Sequence, residues 1–404
     1  MTTAIESILQ YVDEKEVVEL TRSLIRIKSV YRPNLEDGNE EKVARFIVDY
    51  LKDIGLEVYY EEVVPGRPNV IAIYDSGISG KTLLFEGHTD VVTEGDLDSW
   101  TYDPFGGEIS NGKIYGRGSC DTKGNLAAAI SAVHSMKKSG AAFKGKIILC
   151  IPCDEEGMMM GIKHFIKNGW ANDVDGAIIC EPEENQICIT QKGAMRIVLN
   201  TYGKMAHGAM PLTGINPVTR MAKLIVELDK LEQTEKERLG EHPYLGWPSI
   251  TPTILQAPVK GEPQINVVPA QCMATLDIRT VPGQEHEQLR SKIEDIIERL
   301  SEEDDDFKAT LELIEDRPWT ETPKDHEVVQ AMAQAYTQVT GKDPVYNGVP
   351  GATDGTFLHL AGVPIVTTGA GDRYIPHHAD EYVDIKELVE TVKLYTLSAH
   401  NFLE

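Results

Sequence analysis

Five short segments of this chain carry side chains able to hold a metal ion or move a proton. The first, EGHTDVV at Glu86–Val92, follows an apolar run. His88 can bind a metal through one ring nitrogen, and Asp90, two residues on, can fix the ring and raise its basicity. By itself an H-x-D reads more readily as incidental polar residues in a strand-end turn. The second, IYGRGSCDTKGN at Ile114–Asn125, places Asp121 just before a helical pattern. A carboxylate there can bridge two cations or simply cap the helix. The third, PCDEEG at Pro152–Gly157, again follows an apolar run. The side chains of adjacent Glu155 and Glu156 diverge, so one can bind a metal while the other holds a water. Acidic pairs are common in an acidic chain, but carboxylates abutting a buried strand are costly without a cation. Glu181, in ICEPEE, repeats that logic, and RYIPHHADEYVDI at Arg373–Ile385 offers His377 and His378, of which one is expected not to ligate. Nitrogen and oxygen donors without thiolate suit zinc, cobalt or manganese. Two ions held about 3.5–4 Å apart need a bridging carboxylate with further ligands on each side, and these residues supply that number.

Other chemistries fit less well. SGKT at Ser79–Thr82 is a near miss to a phosphate-binding loop, because the position five before Gly80 is Asp75. The C-x-x-C of Cys150 and Cys153 lies in the apolar run KIILCIPC, where residues three apart in a strand face opposite ways, so it is poorly placed as a redox or zinc pair. The six cysteines form no framework and read as buried thiols. A formal charge of −25 argues against nucleic acid or an anionic membrane as partner. No apolar run reaches the roughly 18 residues of a membrane span, and MTTAIESILQ shows no basic stretch followed by an apolar core, so a cytoplasmic location is expected.

The elements that must position these residues are legible as patterns. At 404 residues the chain exceeds what one core usually holds, so two domains are expected. Helical spacing covers Ala4–Ile27 and Glu40–Ile54, and an Ala-rich helix covers Asn125–Lys138. Apolar strands at Asn69–Tyr74, Thr82–Val92, Lys146–Pro152 and Gly176–Cys180 predict an α/β sheet covered on both faces. From Gly193 the character changes. Helices at Asn216–Leu231 and Glu285–Leu300, an alternating strand at Gln271–Arg279 and a last strand at Lys308–Ile314 predict a one-sided, antiparallel sheet. The acidic run Ser301–Asp306 reads as an exposed loop. After Pro318 the first style returns, with a helix at Glu327–Thr340, a strand at Val363–Thr367 and a helix at Ile385–Phe402. The expected architecture is α/β: a mostly parallel-sheet catalytic domain (residues 1–192 and 317–404) interrupted by an inserted α+β domain (193–316).

The segments together resemble a family of dinuclear zinc metallohydrolases that includes acetylornithine deacetylase, succinyl-diaminopimelate desuccinylase, carboxypeptidase G and aminoacylase. The likeness covers nearly the whole chain. It rests on EGHTDVV, the W-x-x-x-P-F of Trp100–Phe105, IYGRGSCDTKG, CDEEG, CEPE, GKMAHGAMPLTGINPV, NVVP through DIRTVPG, GATDGTFL and HHADEYV. The resemblance implies His88 and Glu181 on one metal, Glu156 and His377 on the other, and Asp121 bridging. It assigns Asp90 to orienting His88 and Glu155 to general base catalysis. The spacing of Glu381 four beyond His377 selects that histidine over His378. In the inserted domain it gives His207 the task of polarising the scissile carbonyl, often from the other subunit of a homodimer. Arg279 is implied to grip the substrate carboxylate, with Asn266 and Thr353 as further substrate contacts. Without the family, His207 reads as a loop histidine and Arg279 as a strand-end ion pair.

The expected function is therefore hydrolysis of the amide of an N-acyl amino acid by water activated at two divalent ions, zinc first and cobalt or manganese next. A dipeptidase or carboxypeptidase on the same site is the alternative, with a short peptide as substrate. A metal-binding protein without turnover is a third reading, which an intact Glu155 argues against. A sheet edge and helices left bare on so small an inserted domain also predict a homodimer.

Overall fold

The computed structural model describes residues 4–35 and 38–404, so Met1–Thr3 of the N-terminal stretch read above lie outside it. The chain divides into two compact units, each described by itself. The first comprises residues up to Ile189, Thr322–Asn347 and Thr353–Glu404, and the second Thr190–Glu321 with Gly348–Ala352. No helix among the described residues is long and apolar enough to cross a membrane.

The first unit is built on a mixed sheet whose middle is parallel. Thr82–Glu86 pairs in parallel with Lys146–Ile151 on one side and Gly176–Ile179 on the other, and Gly176–Ile179 pairs in parallel with Ile365–Thr367. Antiparallel strands flank this middle: Arg67–Asp75 beside Lys146–Ile151, then Glu57–Val64 beyond it. The central strands are mostly apolar because both faces are covered. On one face Ile71, Leu84, Ile148, Ala177 and Ile365 pack against Ile162, Phe165 and Leu358 of two short helices. On the other, Phe85 meets Tyr395 of the C-terminal helix Ile385–Leu403, with ring centroids 5.4 Å apart. All six cysteines are buried and free.

Local chemistry sets the element ends. The N-terminal helical pattern is cut in two at Asp13, whose carboxylate caps Glu14–Arg26 by accepting from the N–H groups of Lys15 and Glu16. The strand expected to reach Val92 stops at Glu86, so His88 and Asp90 sit beyond the sheet and not on a common strand face. The Ala-rich helix runs from Lys123 to Ser139 and ends at left-handed Gly140.

The second unit is a four-stranded antiparallel sheet in the order Ser249–Gln256, Gln271–Thr280, Gly193–Tyr202, Lys308–Arg317. Residues alternate along Gln271–Thr280, with Cys272, Ala274, Leu276 and Ile278 facing the core. The helices Pro217–Leu239 and His286–Glu303 cover that face through Met221, Leu224, Leu228, Leu289 and Ile293. The second helix takes in Ser301–Glu303, so only Asp304–Asp306 of the acidic run is loop. The outer strand Ser249–Gln256 exposes Ile254 and Leu255.

Candidate metal centre

The first unit collects its chemistry-bearing residues from loops at the ends of central strands, where open α/β sheets place their ligands. His88 and Asp90 follow Thr82–Glu86, Glu155 and Glu156 follow Lys146–Ile151, and Glu181 follows Gly176–Ile179. Asp121 precedes the helix Lys123–Ser139, and His377 lies on the loop before Tyr382–Asp384 with φ of +67°.

These side chains form two groups that share one member. His88, Asp121 and Glu181 make one, and Asp121, Glu156 and His377 the other, with donor atoms in each within 4.8 Å of one another. The two oxygens of Asp121 face different histidines: Oδ1 lies 3.2 Å from His88 Nε2 and Oδ2 lies 3.4 Å from His377 Nε2. Glu181 Oε1 is 3.7 Å from His88 Nε2, and Glu156 Oε1 is 3.0 Å from His377 Nε2. Glu155 belongs to neither group, yet its Oε2 is 3.9 Å from His88 Nε2. His378 is exposed and belongs to neither group.

The histidine chemistry tests whether a cation fits. His88 Nδ1 lies 2.9 Å from the carbonyl oxygen of Asp90, which can only accept, so Nδ1 carries the proton. In the neutral ring the Nε2 lone pair then points at Asp121, Glu181 and Glu155, an assembly of acceptors that a cation reconciles. The Asp90 carboxylate is farther from the ring, at 3.6 Å. Its oxygens accept the N–H groups of Glu155 at 3.1 Å and Glu156 at 3.0 Å. Thus Asp90 holds the ring through its main chain and the glutamate pair through its side chain. Burial pushes Glu155 and Glu181 well above the usual carboxylate range, and neighbouring carboxylates push them further. Burial would lower His88, but Asp121 and Asp90 hold it well above an ordinary imidazole; hydrogen bonds donated to Asp121 and Glu156 raise His377 to about 10. Asp121, Glu155, Glu156 and Glu181 with only two imidazoles leave negative charge that divalent cations would neutralise.

Several supporting residues have a role that sequence reading does not assign, Glu381 serving there only as a spacing marker for His377. Glu381 is fully buried; its Oε1 accepts the N–H groups of Gly118, Cys120 and Asp121, and its Oε2 accepts from Arg117. It therefore ties the Asp121 loop to the His377 loop. Asp154, Arg67 and Glu40 form a second buried support behind the glutamate pair. Nothing in their immediate sequence neighbours sets them apart: Glu40 lies between Asn39 and Glu41, Arg67 between Gly66 and Pro68, and Asp154 between Cys153 and Glu155. Glu86 and Asp354 are buried, their carboxylate oxygens accept no hydrogen bond from the described residues, and burial pushes Glu86 up to about 7.

The remaining residues named from sequence are placed as follows. Thr353, in the first unit, is buried, and its hydroxyl accepts from the N–H of Gly355. In the second unit His207 is exposed and pairs with Val267 in a two-stranded ladder beside Asn266, which is also exposed. The Gly208 N–H donates to the Asn266 carbonyl at 2.7 Å, so the structure brings His207 and Asn266 together. The Ala209 N–H donates to His207 Nδ1 at 3.0 Å, which leaves Nε2–H as the donor of the neutral ring. Arg279 makes a two-point pair with Asp277, Nε to Oδ1 at 2.6 Å and Nη2 to Oδ2 at 3.2 Å.

Comparison with known proteins agrees with this architecture. Residues 84–401 match the model of peptidase family M20/M25/M40. A probable succinyl-diaminopimelate desuccinylase of Staphylococcus epidermidis is 28% identical over 395 residues, covering 92% of this chain and 93% of its own. The N-formyl-4-amino-5-aminomethyl-2-methylpyrimidine deformylase of Bacillus subtilis is 28% identical over 419 residues, covering 98% and 96%. The crystal structure of aminopeptidase PepT from Bacillus cereus superposes with a TM-score of 0.79 at 19% identity, covering 98% of this chain and 100% of that one. A dinuclear metal-binding peptidase of the M20 family from Bacillus subtilis superposes at 0.74 with 16% identity, covering 96% and 98%. The chain belongs to peptidase family M20/M25/M40 and is a metal-dependent hydrolase of amide bonds.

Proposed function

We propose that this chain removes the acyl group from an N-acylated, carboxylate-bearing amine, as a deacetylase or desuccinylase does. The observation that carries the metal part of this reading is the Asp121 carboxylate, whose two oxygens face two histidines in two separate donor groups. His88 and Glu181 would hold one divalent ion, Glu156 and His377 the second, and Asp121 both. The nitrogen and oxygen donors suit zinc, with cobalt and manganese as alternatives. Two such ions, when bound, would supply a lowered pKa for the attacking water and polarisation of the scissile carbonyl.

The chain's own residues do the rest. Glu155, next to the donor groups and in neither, takes the proton of the attacking water and hands it to the departing amine. Asp90 keeps Glu155 and Glu156 apart and oriented through their backbone N–H groups. His207, with Nε2–H free to donate, stabilises the oxyanion without first acquiring a proton. Arg279 grips the substrate carboxylate, with Asn266 and Thr353 as further contacts. The preference for an acyl group rests on the desuccinylase and deformylase relatives, both named for acyl removal. A homodimer in which His207 serves the partner's site is part of the same reading, and the exposed apolar residues of Ser249–Gln256 support it.

A panel of N-acetyl, N-formyl, N-succinyl and N-carbamoyl amino acids and dipeptides, assayed with zinc, cobalt or manganese, tests this. An N-acyl amino acid should be turned over faster than any dipeptide. Faster dipeptide turnover would instead establish the dipeptidase alternative.

A further inference from the structure

The general base in the proposed reaction sits on a turn, and turns do not hold a side chain still unless something fixes their backbone. The loop after Lys146–Ile151 is fixed from behind by a group of buried ions. Arg67 opens the neighbouring strand Arg67–Asp75, and its side chain is 4% exposed. Its planar guanidinium forks in two directions. Nε and Nη2 bind the Glu40 carboxylate, at 2.8 Å to Oε2 and 2.5 Å to Oε1, and Nη1 binds Asp154 Oδ1 at 2.6 Å. The Tyr31 ring stacks against it at 3.9 Å. Asp154, with φ of +67°, then organises the turn. Its Oδ2 accepts the N–H groups of Met158 at 3.0 Å and Met160 at 3.2 Å, and its carbonyl accepts that of Met159 at 2.7 Å. Asn69, on the same strand as Arg67, holds both ends of the loop, accepting from Cys153 N–H and donating to the Gly161 carbonyl.

Glu155 thus lies between two anchors. Asp154 precedes it and is held by Arg67, and its own N–H is held by Asp90. Three features argue that this is more than fold support. The guanidinium takes two buried carboxylates, so one buried negative charge is left over, a poor stability device when apolar side chains of that volume would do. Two-directional binding needs the planar fork that lysine lacks. The residue it grips is the one next to the base in sequence.

We infer that Arg67, locked by Glu40, is a positioning residue that fixes Glu155 in its proton-transfer pose through Asp154. The inference rests on Glu155 being the base. Misplacing a catalytic group by about 1 Å can cost roughly a hundredfold, so Arg67→Met should lower kcat by ten- to a hundredfold and leave KM within about threefold. Arg67→Lys should recover only part of that loss, and Glu40→Gln should give a smaller one.

The deciding experiment is a double-mutant cycle on the holoenzyme, using the N-acyl amino acid turned over fastest in the panel. In the Glu155→Ala background Arg67→Met should cost less than threefold, because there is no base left to misplace. Hydrogen exchange of the metal-free protein supplies a second readout: amides of 155–160 should exchange faster in Arg67→Met while those of Thr82–Glu86 do not change. If Arg67→Met costs the same with and without the Glu155 side chain, Arg67 supports the fold and the inference is overturned. If Arg67→Met does not fold, the same comparison is made with Arg67→Lys and Glu40→Gln. If Glu155→Ala alone keeps full turnover, the proposed base fails first, and the two failures are told apart.

Discussion

The two units hold their candidate functional groups in opposite ways. In the first, His88, Asp90, Glu155 and Glu181 are buried, with the His88 ring held by the Asp90 carbonyl and the Glu155 N–H by the Asp90 carboxylate, and of its donors only His377 is exposed. In the second, His207 and Asn266 are exposed on a two-residue ladder, and Arg279 is paired with Asp277 from its own strand. The difference teaches that a self-sufficient site is marked by buried charge it cannot neutralise, whereas exposed groups with ordinary partners need a substrate or another chain to give them work.

That contrast can be broken or sharpened by substitution. The largest effect should come from Glu155→Ala, which should lower kcat about a hundred- to ten-thousandfold while bound metal stays unchanged; loss of metal with activity retained in Glu156→Ala would reverse the two roles. Next is His207→Ala, expected to cost about a hundredfold or more. Mixing unfolded Glu155→Ala and His207→Ala chains and refolding them together should restore roughly a quarter of the sites, since a mixed dimer carries one intact site. A mixture that forms mixed dimers yet stays inactive would place His207 in its own chain's site. Arg279→Ala should weaken kcat/KM for a carboxylate substrate by about ten- to a hundredfold, the worth of a charged hydrogen bond, and scarcely touch its amide-capped analogue. Equal losses on both would reduce Arg279 to the ion pair with Asp277.

The smallest effect lies away from the site, in the first unit's helix Glu14–Arg26. Burial would raise the Glu16 carboxyl, but His134 at 2.5 Å and Lys138 at 2.7 Å hold it down at about 2. A carboxyl depressed from 4.5 stabilises the folded state above that pH and loses the contribution as pH falls toward about 2. Partly exposed and screened, these interactions are worth about 1 kcal/mol. Glu16→Gln should therefore lower Tm by about 2 °C at pH 7, with the gap closing near pH 2. A constant difference across that range would mean the effect is packing.

Much of this was readable because apolar runs ending in His, Asp or Glu are unusual unless something neutralises the charge. Glu327–Thr340 was legible to the residue, since its apolar spacing is uninterrupted and Gly341 ends it. The extent of Thr82–Val92 was misread because EGHTDVV is apolar enough to continue a strand, while the buried His88 needs an irregular backbone to face Asp121. The Glu40–Arg67–Asp154 support was invisible for a different reason. Its members are 27 and 87 residues apart in sequence; the strand pairing of Arg67–Asp75 with Lys146–Ile151 brings Arg67 to Asp154, and Glu40 comes from the start of the helix Glu41–Asp53. Likewise, Glu381 showed only as a spacing from His377, with nothing to say that it holds Asp121.

The central claim is that Asp121 serves two cations at once, and metal stoichiometry tests it most directly. Protein stripped with chelator and titrated with cobalt or zinc should bind two ions per chain, and Glu181→Ala and Glu156→Ala should each keep one. Asp121→Asn should weaken both sites together. Saturation of the unmodified chain at one ion, or an Asp121→Asn protein that still binds two with undiminished affinity, would contradict the account.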